Sequence, residues 1–225
     1  MKILVIDIGG THVKCVATDH DIPVRFISGA QLTPDQMMKT VMPLIAHWEF
    51  DAVSIGYPGV VKNNRIAKEP YNLGRGWADF DFESAFRRPV KLINDAAMQA
   101  LGCYAGGRML FLGLGTGLGS ALIVDSEIVA MELGHLRYTN EGTYEDYLGE
   151  HGRKRLGNLQ WSAMVKDVVE GFRKVFFPDD FVVGGGNVAH LEQLPPDVRR
   201  GDNAYAFLGG FRLWENESPE LFLGK

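Results

Sequence analysis

Two short stretches of the chain have the makings of a phosphate grip. Gly9-Gly10-Thr11 and Gly115-Thr116-Gly117 each follow an apolar run, and each is followed by another. Glycine lets a backbone approach a ligand closely, because no Cβ stands in the way. Successive N–H groups in such a turn converge into a nest suited to phosphate oxygens. Lys14, just past the first turn, could meet phosphate charge, and Asp7, closing the first run, could hold Mg2+ directly or through water. Hairpin turns also favour glycine for local reasons; two matched turns argue for more than that. Neither has the G-x-x-x-x-G-K-[ST] spacing, and the strand-like ALIV, not a helix, follows Gly113, Gly115 and Gly117, which disfavours a dinucleotide fingerprint.

Asp95 stands where an apolar run, residues 90–93, meets a helical one, residues 96–103. A carboxylate there can accept the proton of an attacking hydroxyl or cap the helix, and one residue can do both. Asn94, Glu132, His135 and Glu145 carry amide, carboxylate and imidazole groups able to hydrogen-bond a polar ligand. Taken singly, each also reads as an ordinary packed or solvated polar residue.

The elements that would position these groups alternate between strand and helix, the pattern of an α/β protein. Strands are expected at 3–8, 13–17, 24–28, 52–56, 90–93, 109–114, 121–124 and 181–183. Thr33, Pro34 and Gln36 form a capping box that opens a helix with Met37, Val41, Leu44, Ile45 and Trp48 on one face and a kink at Pro43. Apolar residues from Trp161 to Phe176 mark a second amphipathic helix, and 204–214 a last one. Residues 3–19 match residues 109–125 at a constant offset, Leu4 with Leu110, Gly9 with Gly115 and Asp19 with Asp125. Two hairpins of one design, each opening its own half, suggest two related lobes, 1–100 and 101–225.

Of the 225 residues, 46% are hydrophobic, and 23 basic against 28 acidic residues leave a net charge of −5. A mildly acidic chain is not a generic binder of nucleic acid or membrane surfaces. No run approaches a bilayer span, and the N-terminus lacks the features of a signal peptide. Two distant cysteines, Cys15 and Cys103, rule out a disulfide scaffold and a cysteine zinc site and suit a reducing cytoplasm.

The blocks DIGGTHVK (7–14), GYPGVV (56–61), NDA (94–96), GLGTGLGS (113–120), ELGH (132–135) and VVGGG (182–186) follow the order and spacing of the ROK sugar kinases. These belong to the actin/hexokinase/Hsp70 ATPase superfamily. The resemblance runs from residue 3 to about 214 and is strongest toward the bacterial polyphosphate glucokinases. It implies a two-lobed, actin-like (duplicated ribonuclease H-like) α/β fold with a cleft between the lobes. It also implies a kinase acting on a hexose, most readily glucose at its 6-hydroxyl, with Mg2+ and with ATP or polyphosphate as donor.

By the same resemblance Asp95 is the catalytic base, Asn94 and Asp95 hold the reacting end of the sugar, and Glu132, His135 and Glu145 reach its far hydroxyls. Gly59 is a backbone contact to the sugar. Asn72 and Trp77, in EPYNLGRGW, resemble the family's P-N-L-x-x-W segment, with one extra residue on each side. Gly184, Gly185 and Gly186 resemble its adenosine-side glycines. Family members carry a C-x-C-G-x-x-G-C zinc loop; here LRYTNEGTY (136–144) replaces it, so no zinc is expected and Glu145 must be placed by something else. Arg153, Lys154 and Arg155 read as a guide for a polyanion or as a solvated helix face. The chain opens directly on its first strand, so DNA binding is not expected; a homodimer is admitted. Two other readings stand beside the kinase: a non-catalytic sugar sensor, and a kinase for another small alcohol such as an N-acetylated hexosamine.

Overall fold

The computed structural model describes residues 1–215. The last ten residues of the expected second lobe, 216–225, lie outside the described residues. The first half runs β1 (Ile3–Ile8), β2 (His12–Ala17), β3 (His20–Ile27), α1 (Pro34–Leu44), β4 (Ala52–Tyr57), a small hairpin β5 (Val61–Lys62) and β6 (Arg65–Ile66), α2 (Phe82–Phe86), β7 (Val90–Asn94) and α3 (Asp95–Cys103). The second runs β8 (Arg108–Leu114), β9 (Leu118–Val124), β10 (Glu127–Met131), a hairpin β11 (Arg137–Thr139) and β12 (Gly142–Thr143), α4 (Tyr144–Leu148), α5 (Glu150–Leu156), α6 (Asn158–Phe176), β13 (Asp180–Gly184), β14 (Val198–Arg200) and α7 (Tyr205–Arg212).

Each half builds a five-stranded sheet, and the two sheets share one topology. Their orders are β3-β2-β1-β4-β7 and β10-β9-β8-β13-β14. In each, an antiparallel three-stranded meander is extended by two strands parallel to the first. The duplication read from the two glycine turns is thus a duplication of whole sheets.

Side-chain alternation along the strands then sets the layers. Leu4, Ile6 and Ile8 of β1 face outward onto α1, while Ile3 and Val5 face the middle of the molecule. Met109 and Phe111 of β8 face the same middle layer, and Leu110, Leu112 and Leu114 pack outward onto α6. The order is therefore helix, sheet, helices, sheet, helix, with α3 and α7 between the two sheets. Those two helices cross at Gly102 and Gly209, where a Cβ would lie 1.9 Å from the Tyr205 carbonyl oxygen and 1.8 Å from that of Met98. The boundary drawn after residue 100 falls inside α3. Helix α7 also returns to the first sheet, where Ser54 Oγ donates to the Gly210 carbonyl at 2.6 Å and accepts from Trp214 Nε1 at 2.8 Å.

Three sequence expectations are corrected in detail. Ile8 stands opposite Val13 in the first hairpin and Leu114 opposite Leu118 in the second, so the second turn is one residue tighter. The constant offset therefore slips beyond the turn, and Leu118, not Gly119, corresponds to Val13. Asp19 is the second residue of its turn and Asp125 the first of its own, so they are not equivalent. In α1, Pro43 lies in the last turn, and the chain leaves helical geometry two residues later at Ile45, short of the expected Trp48. Leu44 is accordingly exposed, and Trp48 lies beyond the helix, stacked on His20 at 4.5 Å.

Candidate functional site

The two lobes leave between them a cleft of about 590 Å³. Both glycine turns line it, and they meet: Thr11 Oγ1 lies 3.3 Å from Thr116 Oγ1. The first turn is closed by a bond from Gly9 N–H to the His12 carbonyl and the second by one from Gly115 N–H to the Gly117 carbonyl. Among the described residues, no protein acceptor pairs with the N–H groups of Gly10, Thr11, Thr116 or Gly117. Each turn therefore presents two consecutive uncommitted donors, the arrangement an anion nest needs.

Asp95 reaches the same cleft because both sheets come close to the start of α3. At Gly56 a Cβ would sit 2.4 Å from Met98 Cε, and at Gly119 one would sit 2.7 Å from Ala96 Cβ. Strand β4 of one lobe and β9 of the other thus press on the first turns of one helix. The residue that caps this helix is Asn94, whose Oδ1 accepts from Ala97 N–H at 3.0 Å while its Nδ2 donates to the Gly59 carbonyl at 3.1 Å. Asp95 is left in the cleft, with Oδ1 accepting from its neighbour Ala96 N–H at 2.7 Å. Burial pushes its carboxyl up to about 8, and the negative charge of Asp7 adds to the rise.

Asp7 lies opposite Lys14 across the β1–β2 hairpin, Oδ2 to Nζ 3.6 Å. Burial raises its carboxyl as well, and Lys14 opposes the rise. Two desolvated carboxylates in one cleft are hard oxygen donors of the kind Mg2+ takes, with water completing its shell. Among the described residues, no three His, Cys, Asp or Glu side chains gather to form a metal centre of protein ligands alone.

The residues expected at the far end of a sugar line the same cleft. Glu132 Oε2 lies 3.3 Å from His135 Nε2, and burial raises the Glu132 carboxyl while His135 pulls it back. Tyr71, from the first lobe, places its ring 5.4 Å from that of His135. Glu145, Asn72 and Gly59 line the cleft with them. Trp77 does not: it is fully buried against Tyr57 and Phe82, with Nε1 donating to the Leu32 carbonyl at 3.2 Å.

What places Glu145 is an aromatic cluster. Residues 136–144 form the β11–β12 hairpin, and Tyr138 packs on Tyr144 at 4.8 Å and on Tyr147 at 5.4 Å. Tyr144 in turn packs on Phe172 of α6 at 5.1 Å. A capping box between Thr143 and Asp146 starts α4 one residue before Glu145. Ring packing and a helix cap thus fix this segment.

Of the three glycines after β13, Gly184 is core, since a Cβ there would lie 2.9 Å from the Phe111 ring. Gly185 and Gly186 line the cleft with Asn187. Gly185 has φ +87°, a left-handed conformation that glycine adopts without strain. The basic run on α5 is engaged locally, with Lys154 on Glu150, Arg153 on Asn158 and Arg155 over the Tyr147 ring. Sequence reasoning missed Tyr71, Gln99 and Asn187 in the cleft wall. Asn187 carried the only usable signal, as a polar residue directly after the glycine run.

Comparison with known proteins adds four matches. A family model described as "ROK family" matches residues 3–152. The polyphosphate glucokinase of Mycobacterium leprae is 26% identical over 202 residues, covering 80% of this chain. The chain spans 62% of that relative's length. The crystal structure of an inorganic polyphosphate/ATP-glucomannokinase from an Arthrobacter strain superposes with a TM-score of 0.80 at 24% identity, covering 93% of this chain and 96% of that one. A ROK glucokinase from Streptomyces griseus, solved with glucose and AMPPNP, gives 0.74 at 17% identity over 95% of this chain and 99% of that one. The likeness to these structures is one of fold, the two-lobed actin-like architecture. No helix among the described residues is long and apolar enough to cross a membrane.

Proposed function

The chain belongs to the ROK family, and on that premise we propose that it is a hexose kinase. It transfers the terminal phosphoryl group of ATP, polyphosphate or both to a hexose, with the 6-hydroxyl of glucose as acceptor. One observation carries this reading: the two glycine turns, one from each lobe, meet at Thr11 and Thr116 in the cleft that holds Asp95.

In this reading the paired N–H donors of the two turns grip the phosphate chain, and Lys14 offsets its charge. The acceptor hydroxyl lies against Asp95. As the new O–P bond forms, the bond from phosphorus to the donor's bridging oxygen breaks, and the hydroxyl proton passes to the Asp95 carboxylate. A carboxyl held near 8 is a stronger base toward an alcohol than an ordinary one. The phosphoryl transition state is loose, so that proton can move late and most of the acceleration comes from positioning and charge stabilisation. Mg2+, when bound, supplies neutralisation of the donor's charge; Asp7 is the residue that would hold it. Asn94, Gly59, Glu132, His135, Glu145 and Asn72 orient the sugar, and Gly185, Gly186 and Asn187 form the nucleotide side. Closure of the lobes would keep water from the donor. The reading places the protein in the cytoplasm with a small sugar as partner and gives nucleic acid no role; a homodimer is compatible with it.

The test is a coupled assay over a panel of hexoses and N-acetylated hexosamines, with ATP and with polyphosphate, beside Asp95→Asn. Glucose phosphorylation is expected, and the variant should lose about 10²–10⁴-fold in kcat with sugar affinity nearly unchanged. Sugar binding without transfer by the unaltered protein would establish a sensor instead. Transfer confined to another alcohol would overturn the hexose assignment.

A further inference from the structure

We infer that Glu145, expected above only as a sugar contact, is a positioning residue of the donor site: it clamps the Gly115–Gly117 turn and thereby couples sugar binding to phosphate binding. The inference rests on the kinase reading of the cleft. Glu145 Oε2 accepts a hydrogen bond from Leu118 N–H at 3.1 Å, the first residue after the turn. The carboxylate lies so close to the turn that a Cβ on Gly117 would sit 2.2 Å from Oε2 and 2.8 Å from Cδ. Gly117 has no left-handed φ, so glycine is required there for the carboxylate's sake and not for the backbone's.

The same helix pair holds the other side of the turn. Glu150 N–H, at the start of α5, donates to the carbonyls of Gly115 at 3.0 Å and Thr116 at 3.2 Å. Asn187 Nδ2 adds a third bond, to the Gly115 carbonyl at 2.8 Å. A trans peptide points its N–H opposite its C=O. With the Gly115 and Thr116 carbonyls turned toward α5, the N–H groups of Thr116 and Gly117 must point away from it. The α4–α5 segment thus orients the two donors the nest depends on, and Glu145 is its only side chain bonded to the turn region among the described residues. The remaining oxygen, Oε1, makes no hydrogen bond to the protein, and the carboxylate lines the cleft near Glu132. A hydroxyl bound by Oε1 and a phosphate bound by the nest therefore share one rigid link.

The experiment measures binding by calorimetry on the full chain, with Mg2+-tripolyphosphate as probe, without and with saturating glucose. Glu145→Ala is expected to weaken tripolyphosphate about tenfold in the absence of glucose, the worth of one charged hydrogen bond. Gly117→Ala, which displaces the carboxylate, should do the same, and the double variant should lose no more than either one. Glucose should tighten tripolyphosphate in the unaltered protein and leave it unchanged in Glu145→Ala, because coupling is reciprocal. The isosteric Glu145→Gln keeps an acceptor without the charge and should show a smaller loss, about threefold, should the larger changes disturb folding. Tripolyphosphate affinity within twofold of normal in Glu145→Gln and Glu145→Ala, with glucose affinity alone reduced, would overturn the clamp while leaving the kinase reading intact. No binding of either Mg2+-tripolyphosphate or Mg2+-ATP by the unaltered protein would overturn both.

Discussion

Replacing Asp95 by Asn should slow transfer about 10²–10⁴-fold and yet stabilise the fold, by an amount that grows with pH. In the folded chain the Asp95 carboxyl sits near 8 against an ordinary value of 3.8, because burial and Asp7 disfavour its charge. The folded state therefore holds this proton more tightly than the unfolded one does. Stability from the group is complete below about pH 4 and is lost steadily as pH rises toward 8. Between the ordinary value and pH 7 lie about three pH units, each worth about 1.4 kcal/mol, which sets a ceiling of roughly 4 kcal/mol. The cleft mouth admits water to Asp95, so the realised cost is on the order of 1–3 kcal/mol. Asn has nearly the same shape and an oxygen that can still accept from Ala96 N–H, but no charge to bury. Urea unfolding of both proteins at pH 5, 6, 7 and 8 measures the difference. The variant should gain from pH 5 to pH 8, with an unchanged dependence on urea concentration. Parallel curves, or a variant less stable at pH 7, would refute the claim that Asp95 is held in a desolvated, negatively charged setting.

The same raised carboxyl predicts that kcat/KM for the hexose climbs about tenfold per pH unit below 8 as Asp95 gains its base form; a flat profile from pH 6 to 8 would count against Asp95 as base. Gly209→Ala should force α3 and α7 apart and cost about 3 kcal/mol or more in urea unfolding, since its Cβ would lie 1.8 Å from a backbone oxygen. Gly171→Ala is the paired control, an exposed helical glycine in α6 with nothing within 4 Å of a Cβ, and should stabilise by about 0.5–1 kcal/mol. Tyr144→Ala should cost about 2 kcal/mol and raise KM for the sugar through Glu145, whereas Tyr144→Phe, which keeps the rings on Tyr138 and Phe172, should leave both nearly unchanged.

Much of the architecture was legible in the chain because strands and turns are local. Continuous apolar runs at 3–8 and 109–114, each closed by glycines, announced two hairpins, and Thr33, Pro34 and Gln36 announced α1 with its capping box. Strand β10, Glu127–Met131, escaped notice although the repeat implied it opposite β3, and β14, three residues after Pro195-Pro196, had too little length to signal. The catalytic candidates were legible by type, and their number and order pointed to the family. Their meeting was not. That Thr11 lies 3.3 Å from Thr116 depends on two glycines, Gly102 and Gly209, letting α3 and α7 cross at backbone contact, and on Gly56 and Gly119 letting both sheets reach the start of α3. Whether Asn94 or Asp95 caps that helix, and so whether the Asp95 carboxylate is left in the cleft, was settled by backbone geometry at one residue. The bond from Leu118 N–H to Glu145 was likewise invisible in the sequence, because it joins residues far apart in the chain. Periodicity and residue type act over a few neighbours and specify elements; desolvation, close crossings and the direction of an N–H arise only when distant segments pack, and these decide the chemistry.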